Sequence, residues 1–389
     1  MHPSGADTVL VRHGDVGVKS GKVQTEMERR LRDNIAAILA DRGIDAEVER
    51  RWSRLLVHAT EENVEEATTA AADTFGVQSA SAAAVVSPEQ AVIEETLADA
   101  AREHYHEGTF AVRARRSSKD HPFTSAELER EGGTAVWNAV ENPEVDLDDP
   151  DITFSVEVRD DEAFVFLEKR DGPGGLPLGT QTKLVSLVSG GIDSPVATWE
   201  VMKRGSPVIP VYLDLGDYGG IDHRARAVET VRKLAKYAPE QDMRVRKVPA
   251  GEAMTLLGEE VGPARMLVFR RFMYRVAEHI AREESAHGIV TGEAIGQKSS
   301  QTARNLGVVG TATTMPIHRP LLTMDKSDIV ARARRIDTYT DSTIPAGCNR
   351  LAPDYPETNA THEIAQNAEP DDLFELAKAA AENVELIDL

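Results

Sequence analysis

Two short stretches hold residues whose types and spacing suit covalent chemistry. The first is "SGGIDSPVA", Ser189 to Ala197, which follows the apolar run "KLVSLV" and opens a helical pattern reaching Gly205. Gly190 and Gly191 let the backbone approach an anion without a Cβ in the way, and both can take positive φ. Ser194 or Asp193 can cap the helix, Pro195 fits its first turn, and Gly205 ends it after Lys203 and Arg204. A helix that starts in this way offers free N–H groups and the positive end of a dipole to a phosphate. Asp193 is the unusual member, because a carboxylate beside a phosphate repels it unless a cation stands between them. Magnesium is therefore implied. A phosphate loop of the kinase type needs GxxxxGK followed by Ser or Thr, and no lysine stands in this turn. That weighs against transfer of a γ-phosphate. On these residues alone, a plain strand-to-helix turn with a capping aspartate stays open.

The second stretch is "DSTIPAGCNRLAPDYPET", which carries Cys348, the one cysteine of the chain. A lone cysteine is often a small buried apolar residue; a loop rich in proline and glycine makes burial less expected, and on these residues alone both a structural and a reactive thiol stay open. One cysteine excludes an intrachain disulfide and any zinc or iron–sulfur site built from several cysteines of this chain.

These stretches need a scaffold, and the 389 residues suggest two or three domains. The first sixty residues run "TVLVRH" as a strand, a helix through Met27, Leu31, Ile35 and Leu39, and "AEVERR" and "RLLVHA" as paired strands. A helix follows from about Glu61. This β-α-β-β-α order predicts a ferredoxin-like unit over 1–60. A second α+β unit, 61–170, has helices near "SPEQAVIEETLADAAREHY" and "TSAELEREGGTAVWNAV" and strands "TFAVRARR", "ITFSVEVR" and "AFVFLEK". The glycine- and proline-rich "DGPGGLPLGTQ" reads as a linker over 171–182. From 183 to 389, the runs "LVSLVS", "PVIPVYLD", "MRVRKVP" and "HGIVTGE" alternate with helical segments, which predicts a doubly wound parallel sheet. An acidic helix is expected from about Pro370 to Leu389, with Leu373, Leu376, Ala380, Val384 and Ile387 at helical spacing.

With these segments in order, the chain resembles the tRNA 4-thiouridine synthetase (tRNA uracil 4-sulfurtransferase) family. "SGGIDSPVA" is similar to the PP-loop of ATP-dependent adenylating enzymes, a group that includes GMP synthetase, NAD synthetase and several tRNA thiolases. "GPGGLPLG", "TGEAIGQKSSQT" and "RPLLTMDKSDIV" stand in the order of the sulfurtransferase family. "FAVRARRSSKDHPFTSAELEREGG" and "VDLDDPDITFSVEVRDDEAFVF" resemble its THUMP RNA-binding domain. The N-terminal "RHGDVGVKSGK" is a looser version of the family segment.

The resemblance implies a PP-loop ATP pyrophosphatase domain behind ferredoxin-like and THUMP units. It implies ATP and Mg2+ as cofactors, and tRNA as substrate, with uridine 8 adenylated at its carbon-4 oxygen before sulfur displaces AMP. Asp193 and Cys348 are then catalytic. Leu187, Val188, Ser189, Gly190, Gly191, Ser194, Tyr212, Leu213, Arg270, Gly292 and Gln301 would hold the nucleotide. Without the resemblance, Arg270 beside Arg271 reads as a solvated helix face and Gly292 as a turn. No rhodanese domain and no iron–sulfur cluster are expected from this chain, so a persulfide donor such as a cysteine desulfurase, or sulfide, must supply sulfur. The resemblance also implies a link to the thiazole of thiamine and a homodimer bridged by RNA, while the want of a membrane span or signal-peptide pattern predicts a cytoplasmic location. Arg113, Arg115, Arg116 and Lys119 would hold RNA phosphates, although a charged edge strand explains them equally. A related ligase or amidotransferase acting on a small molecule, and a tRNA-binding protein without catalysis, are the rival readings.

Charge pulls the other way. The formal net charge is −21, which ordinarily repels nucleic acid. No apolar run approaches the roughly 20 residues of a membrane span, and the N-terminus lacks the order of a signal peptide. An acidic surface suits a cytoplasm of very high salt, where repulsion is screened within a few ångströms. Unfolding on transfer to low salt, followed by circular dichroism, is the expected result; full stability without salt removes the halophilic reading.

Overall fold

The computed structural model describes residues 1–17, 20–51, 54–219, 221–342 and 352–389. The chain divides into two compact units, Met1–Pro177 and Leu178–Leu389. Among the described residues no helix is long and apolar enough to cross a membrane.

The first unit runs β1 (Thr8–His13), α1 (Gly21–Asp41), β2 (Ala46–Arg51), β3 (Arg54–Ala59), α2 (Val64–Asp73) and β4 (Val77–Val86). It continues through α3 (Gln90–His104), β5 (Thr109–Arg116), α4 (Ser125–Ala139), β6 (Glu144–Val145), β7 (Ile152–Val158), β8 (Ala163–Phe166) and β9 (Arg170–Asp171). One sheet results, in the order β2-β3-β1-β4-β8-β7-β5-β6, with β9 also on β4. Period-two alternation sorts its faces. Val9 and Val11 point toward Leu31, Ile35 and Ile38 of α1, whereas Leu10 joins Leu56, Ala83 and Phe164 on the other side. Each such apolar side chain, fully buried, contributes about 1.5–3 kcal/mol. Helix α4 starts on a capping box, in which Thr124 and Glu127 satisfy each other's backbone N–H groups.

Strand β4 is not legible in the sequence, yet it joins the two halves of this sheet. Its residues 77–83 pair with β1 and its residues 84–86 pair with β8. The stretch "VQSASAAAVV" is rich in alanine, which has low strand propensity. Here the small side chains let α2, itself faced with Ala67, Ala70 and Ala71, pack closely on the strand.

The second unit begins with β10 (Leu184–Leu187), α5 (Asp193–Lys203), β11 (Val208–Asp214), a 3-10 turn (Gly216–Tyr218), α6 (Ile221–Ala235) and β12 (Val245–Pro249). Then come α7 (Gly251–Glu260), α8 (Arg265–Glu283), β13 (Ile289–Val290), α9 (Ala303–Gly310), β14 (Ile317–His318), α10 (Lys326–Arg335) and α11 (Tyr339–Ser342). The last elements are α12 (His362–Asn367), α13 (Leu373–Glu382) and β15 (Glu385–Ile387). The sheet order is β14-β13-β10-β11-β12-β15. From β10 the chain first steps outward through β11 and β12, then returns to place β13 on the opposite side. This reversal creates a switch point between β10 and β13, and the crevice at the carboxyl ends of these strands is where such sheets bind ligands.

The C-terminal segment corrects an expectation. Helix α13 stops at Glu382, Asn383 leaves helical geometry, and Glu385–Ile387 form an antiparallel edge strand on β12. Val384 and Ile387 therefore belong to no helical stripe; the open edge of β12 captures the extended end of the chain.

Candidate active site

A cavity of about 550 Å3 opens at the switch point, within the size range of small-molecule sites. Leu187, Val188, Ser189, Asp193 and Ser194 line it from the loop between β10 and α5, Tyr212 and Leu213 from the end of β11, and Arg270 from α8. Gly292 and Gln301 line it from the segment after β13. Ten positions singled out in the sequence thus meet around one space; Gly190 and Gly191 complete the loop without lining it. Cys348 lies outside the described residues. Ala352, Pro353, Asp354 and Pro356, which follow it in the chain, form part of the cavity wall. Asn305 ties down what comes next, donating to the Glu357 carbonyl at 2.9 Å and accepting from Ala360 N at 3.0 Å.

The loop departs from the expected geometry in two ways. Neither glycine adopts positive φ. What Gly190 supplies is space, since a Cβ there would stand 3.3 Å from both the His223 carbonyl and the Arg226 side chain. Neither Asp193 nor Ser194 caps α5, because the helix begins at Asp193 and Ile192 is its N-cap. The Ser194 hydroxyl turns back instead, accepting from Ser189 N at 2.9 Å and meeting the Ser189 hydroxyl at 3.1 Å. The first N–H groups of the helix are left to face the loop.

Gly292 is more than a turn. A Cβ on it would lie 2.7 Å from Asp193 C and from Ser194 N, so backbone meets backbone where β13 passes the start of α5. Asp193, in turn, is met by a lysine absent from the turn itself: Lys326 Nζ at the start of α10 sits 2.7 Å from its Oδ1 and 3.3 Å from Gln297 Oε1. The cation that a carboxylate requires near phosphate is thus partly supplied by the chain. Lys326 stands in the quoted "DKSDIV" motif, but 133 positions separate it from Asp193 and only the fold joins them.

The adjacent arginines of α8 diverge, as a 3.6-residue turn requires. Both are buried, which overturns the solvated-face reading. Arg271 is structural, bonding Glu369, the Val308 carbonyl at 3.1 Å and Thr311 Oγ1 at 2.9 Å. Arg270 turns to the cavity, where its Nη1 donates to Ser300 Oγ at 3.0 Å and its Nε lies 3.1 Å from Glu293 Oε1. Glu293 and His223 also line the cavity and were not singled out in the sequence. Burial, and then the Arg226 cation, pull the His223 pKa below its ordinary value, so the imidazole is neutral at pH 7.

The first unit carries a second feature. On β5, Arg113 and Arg115 are exposed on one face, with Arg116 half-buried and Lys119 exposed beyond it. Arg113 donates to the Leu147 carbonyl. Arg115 pairs in register with Glu157 of β7, and around that buried carboxylate gather Arg54 at 2.7 Å, Arg159 at 2.6 Å and Arg12 at 3.7 Å. Three guanidiniums on one carboxylate leave positive charge in excess. Burial, and the nearby Arg54, Arg115 and Arg159, pull Arg12 down to about 10 against the attraction of Glu157. Arg12, Arg54 and Arg159 line a cleft of about 500 Å3. The sequence scatters Arg12, Arg54, Arg115 and Arg159 over four segments, so the cluster had no linear signal.

Comparison with known proteins decides the family. Residues 179–373 match the thiamine biosynthesis protein (ThiI) family, 91–168 the THUMP domain and 8–81 the ThiI ferredoxin-like domain. A probable tRNA sulfurtransferase of Halobacterium salinarum is 62% identical over 384 residues, spanning 98% of this chain and 97% of that protein.

The chain belongs to the ThiI family.

A ThiI relative from Methanosarcina acetivorans, also a probable tRNA sulfurtransferase, is 40% identical over 92% of this chain and 88% of its own length. The crystal structure of a 4-thiouridine synthetase–RNA complex with bound ATP superposes with a TM-score of 0.85 at 30% identity, covering 98% of this chain and 100% of that one. The resemblance and the fold class read from the sequence are borne out.

Because Gly292 touches the first peptide of α5, Gly292→Ala must displace the loop that faces the cavity. Its KM for ATP is expected to rise by at least about tenfold, while thermal unfolding shows a protein that is still folded.

Proposed function

We propose that this ThiI-family chain is the enzyme that makes 4-thiouridine at position 8 of tRNA, using ATP. The observation that carries this reading is the convergence of the loop at Ser189, the ends of β11 and β13, and Arg270 on one cavity. The near full-length likeness to a 4-thiouridine synthetase that binds RNA and ATP supports it.

The nucleotide lies over Leu187, Val188, Tyr212 and Leu213, with its phosphates toward Ser189–Ser194 and Arg270. The carbon-4 oxygen of the uridine attacks the α-phosphorus as the bond to pyrophosphate breaks. Unpaired N–H groups at the start of α5 stabilise the charge growing on the leaving pyrophosphate, a task that needs no P-loop lysine. Lys326 offsets Asp193 so that a polyanion can enter. Among the described residues no group of three or more His, Cys, Asp or Glu forms a metal cluster. Mg2+ needs no such cage, since one or two carboxylates and substrate phosphates suffice. Asp193 fits that role, and the ion would supply further charge neutralisation at the phosphates.

Sulfur then adds to carbon 4 and AMP departs with the carbon-4 oxygen. Cys348 stands four positions before Ala352, which lines the cavity. A persulfide on Cys348 attacks as a soft nucleophile, and an external dithiol closes the cycle, its first thiol releasing 4-thiouridine from the resulting disulfide and its second freeing Cys348, because the chain holds no second thiol. A cysteine desulfurase is the donor that fits. Thiolated-nucleoside analysis of tRNA from a deletion strain should show 4-thiouridine lost; unchanged 4-thiouridine sinks the reading. Cys348→Ala should abolish thiolation with a persulfide donor, and its activity with sulfide tells whether the thiol is also needed when sulfur arrives directly. Full activity with both donors removes Cys348 from catalysis.

RNA is captured by the first unit, on the exposed Arg113 and Arg115 and the cleft at Arg12, Arg54 and Arg159. Replacing Arg115 with Ala is expected to weaken tRNA binding and lower the slope of log K against log salt by about one, with KM for ATP unchanged.

A further inference from the structure

The cavity wall holds one buried carboxylate between the buried Arg270 and the half-buried Arg319, an arrangement the nucleotide loop does not explain. Glu293 is only 6% exposed. Its Oε2 accepts from Arg319 Nε at 2.8 Å, from Thr291 Oγ1 at 3.0 Å and from the Tyr274 hydroxyl. Burial, and then the Glu293 charge, push the Tyr274 phenol well above its ordinary pKa, which keeps it a donor. Oε2 is therefore clamped from three sides. Oε1 is different: Arg270 Nε lies 3.1 Å away, yet Oε1 accepts no hydrogen bond from any described residue. The guanidinium is thus held by charge at its Nε edge, while its Nη1 reaches the Ser300 hydroxyl.

Resting on the function proposed above, we propose that Glu293 is the positioning residue for Arg270. Arg319, Tyr274 and Thr291 fix the carboxylate, and the carboxylate fixes the Arg270 guanidinium at the wall where phosphate is held. A chain of contacts thus runs from β13 and the segment after β14 to the nucleotide. Two cations against one anion also leave a single positive charge in excess, matched to an anionic occupant. The two effects of Glu293 oppose each other, which makes the proposal testable. If the carboxylate served only as a counter-charge, removing it would tighten ATP binding; if it orients Arg270, removing it weakens binding.

The test is steady-state thiolation of a full-length tRNA transcript with sulfide, varying ATP. Glu293→Gln keeps the shape and removes the charge, and is expected to raise KM for ATP about tenfold, as for loss of a charge-assisted contact, with KM for tRNA unchanged. Arg270→Gln should do the same, and the double variant should be no worse than Arg270→Gln alone, because Glu293 acts through Arg270. Should Glu293→Gln not fold, Glu293→Asp keeps the charge but shortens the reach, and an intermediate rise in KM is expected. Additive losses, an unchanged KM in either Glu293 variant, or tighter ATP binding overturn the proposal. Wild-type protein that neither binds ATP nor thiolates tRNA removes instead the function on which it rests.

Discussion

Charge is the constraint on which the rest of this molecule depends: a chain of net charge −21 must hold polyanions at chosen places. It meets that demand locally. Around Glu157 three arginines face one carboxylate, around Glu293 two arginines do, and Asp193 is met by Lys326. In each case the acidic group fixes the geometry of its cations and leaves the surroundings neutral or positive. Net charge sets solubility and long-range repulsion; the excess within a few ångströms sets what binds.

Backbone contact is the second element of the design. At the switch point the sheet brings β13 against the start of α5 so tightly that only glycine fits at 292. The loop at Gly190 is likewise pressed against α6. The start of α5 is thereby held at the cavity, and side chains of α8, α10 and the segment after β13 then supply the charges. Electrostatic stabilisation of this kind depends on groups that need not reorganise during reaction.

Much of this was legible in the sequence. The loop, its strand and its helix, the alternation of elements after Lys183, and ten residues of the cavity wall followed from local pattern and resemblance. What escaped did so for physical reasons. Glu293 and Lys326 act through contacts made only when distant segments meet. Arg270 and Arg271 are indistinguishable by type and differ by one step around a helix. Gly190 of the loop is there for space, which a sequence cannot separate from a need for positive φ. The alanines of β4 and the short C-terminal edge strand take their conformation from the partners that they pair with, against their local preference.

Strand β4 has a further consequence. The matched ferredoxin-like segment ends at residue 81 and the THUMP match begins at 91, yet β4 runs unbroken from Val77 to Val86 and is bonded to both halves of the sheet. Cutting the chain between those segments would strip one half of its central strand and bare a raw edge on the other. The two segments are therefore separable as units of inheritance but not as units of folding, and the arginine-lined cleft and strand β5 share a single continuous beam.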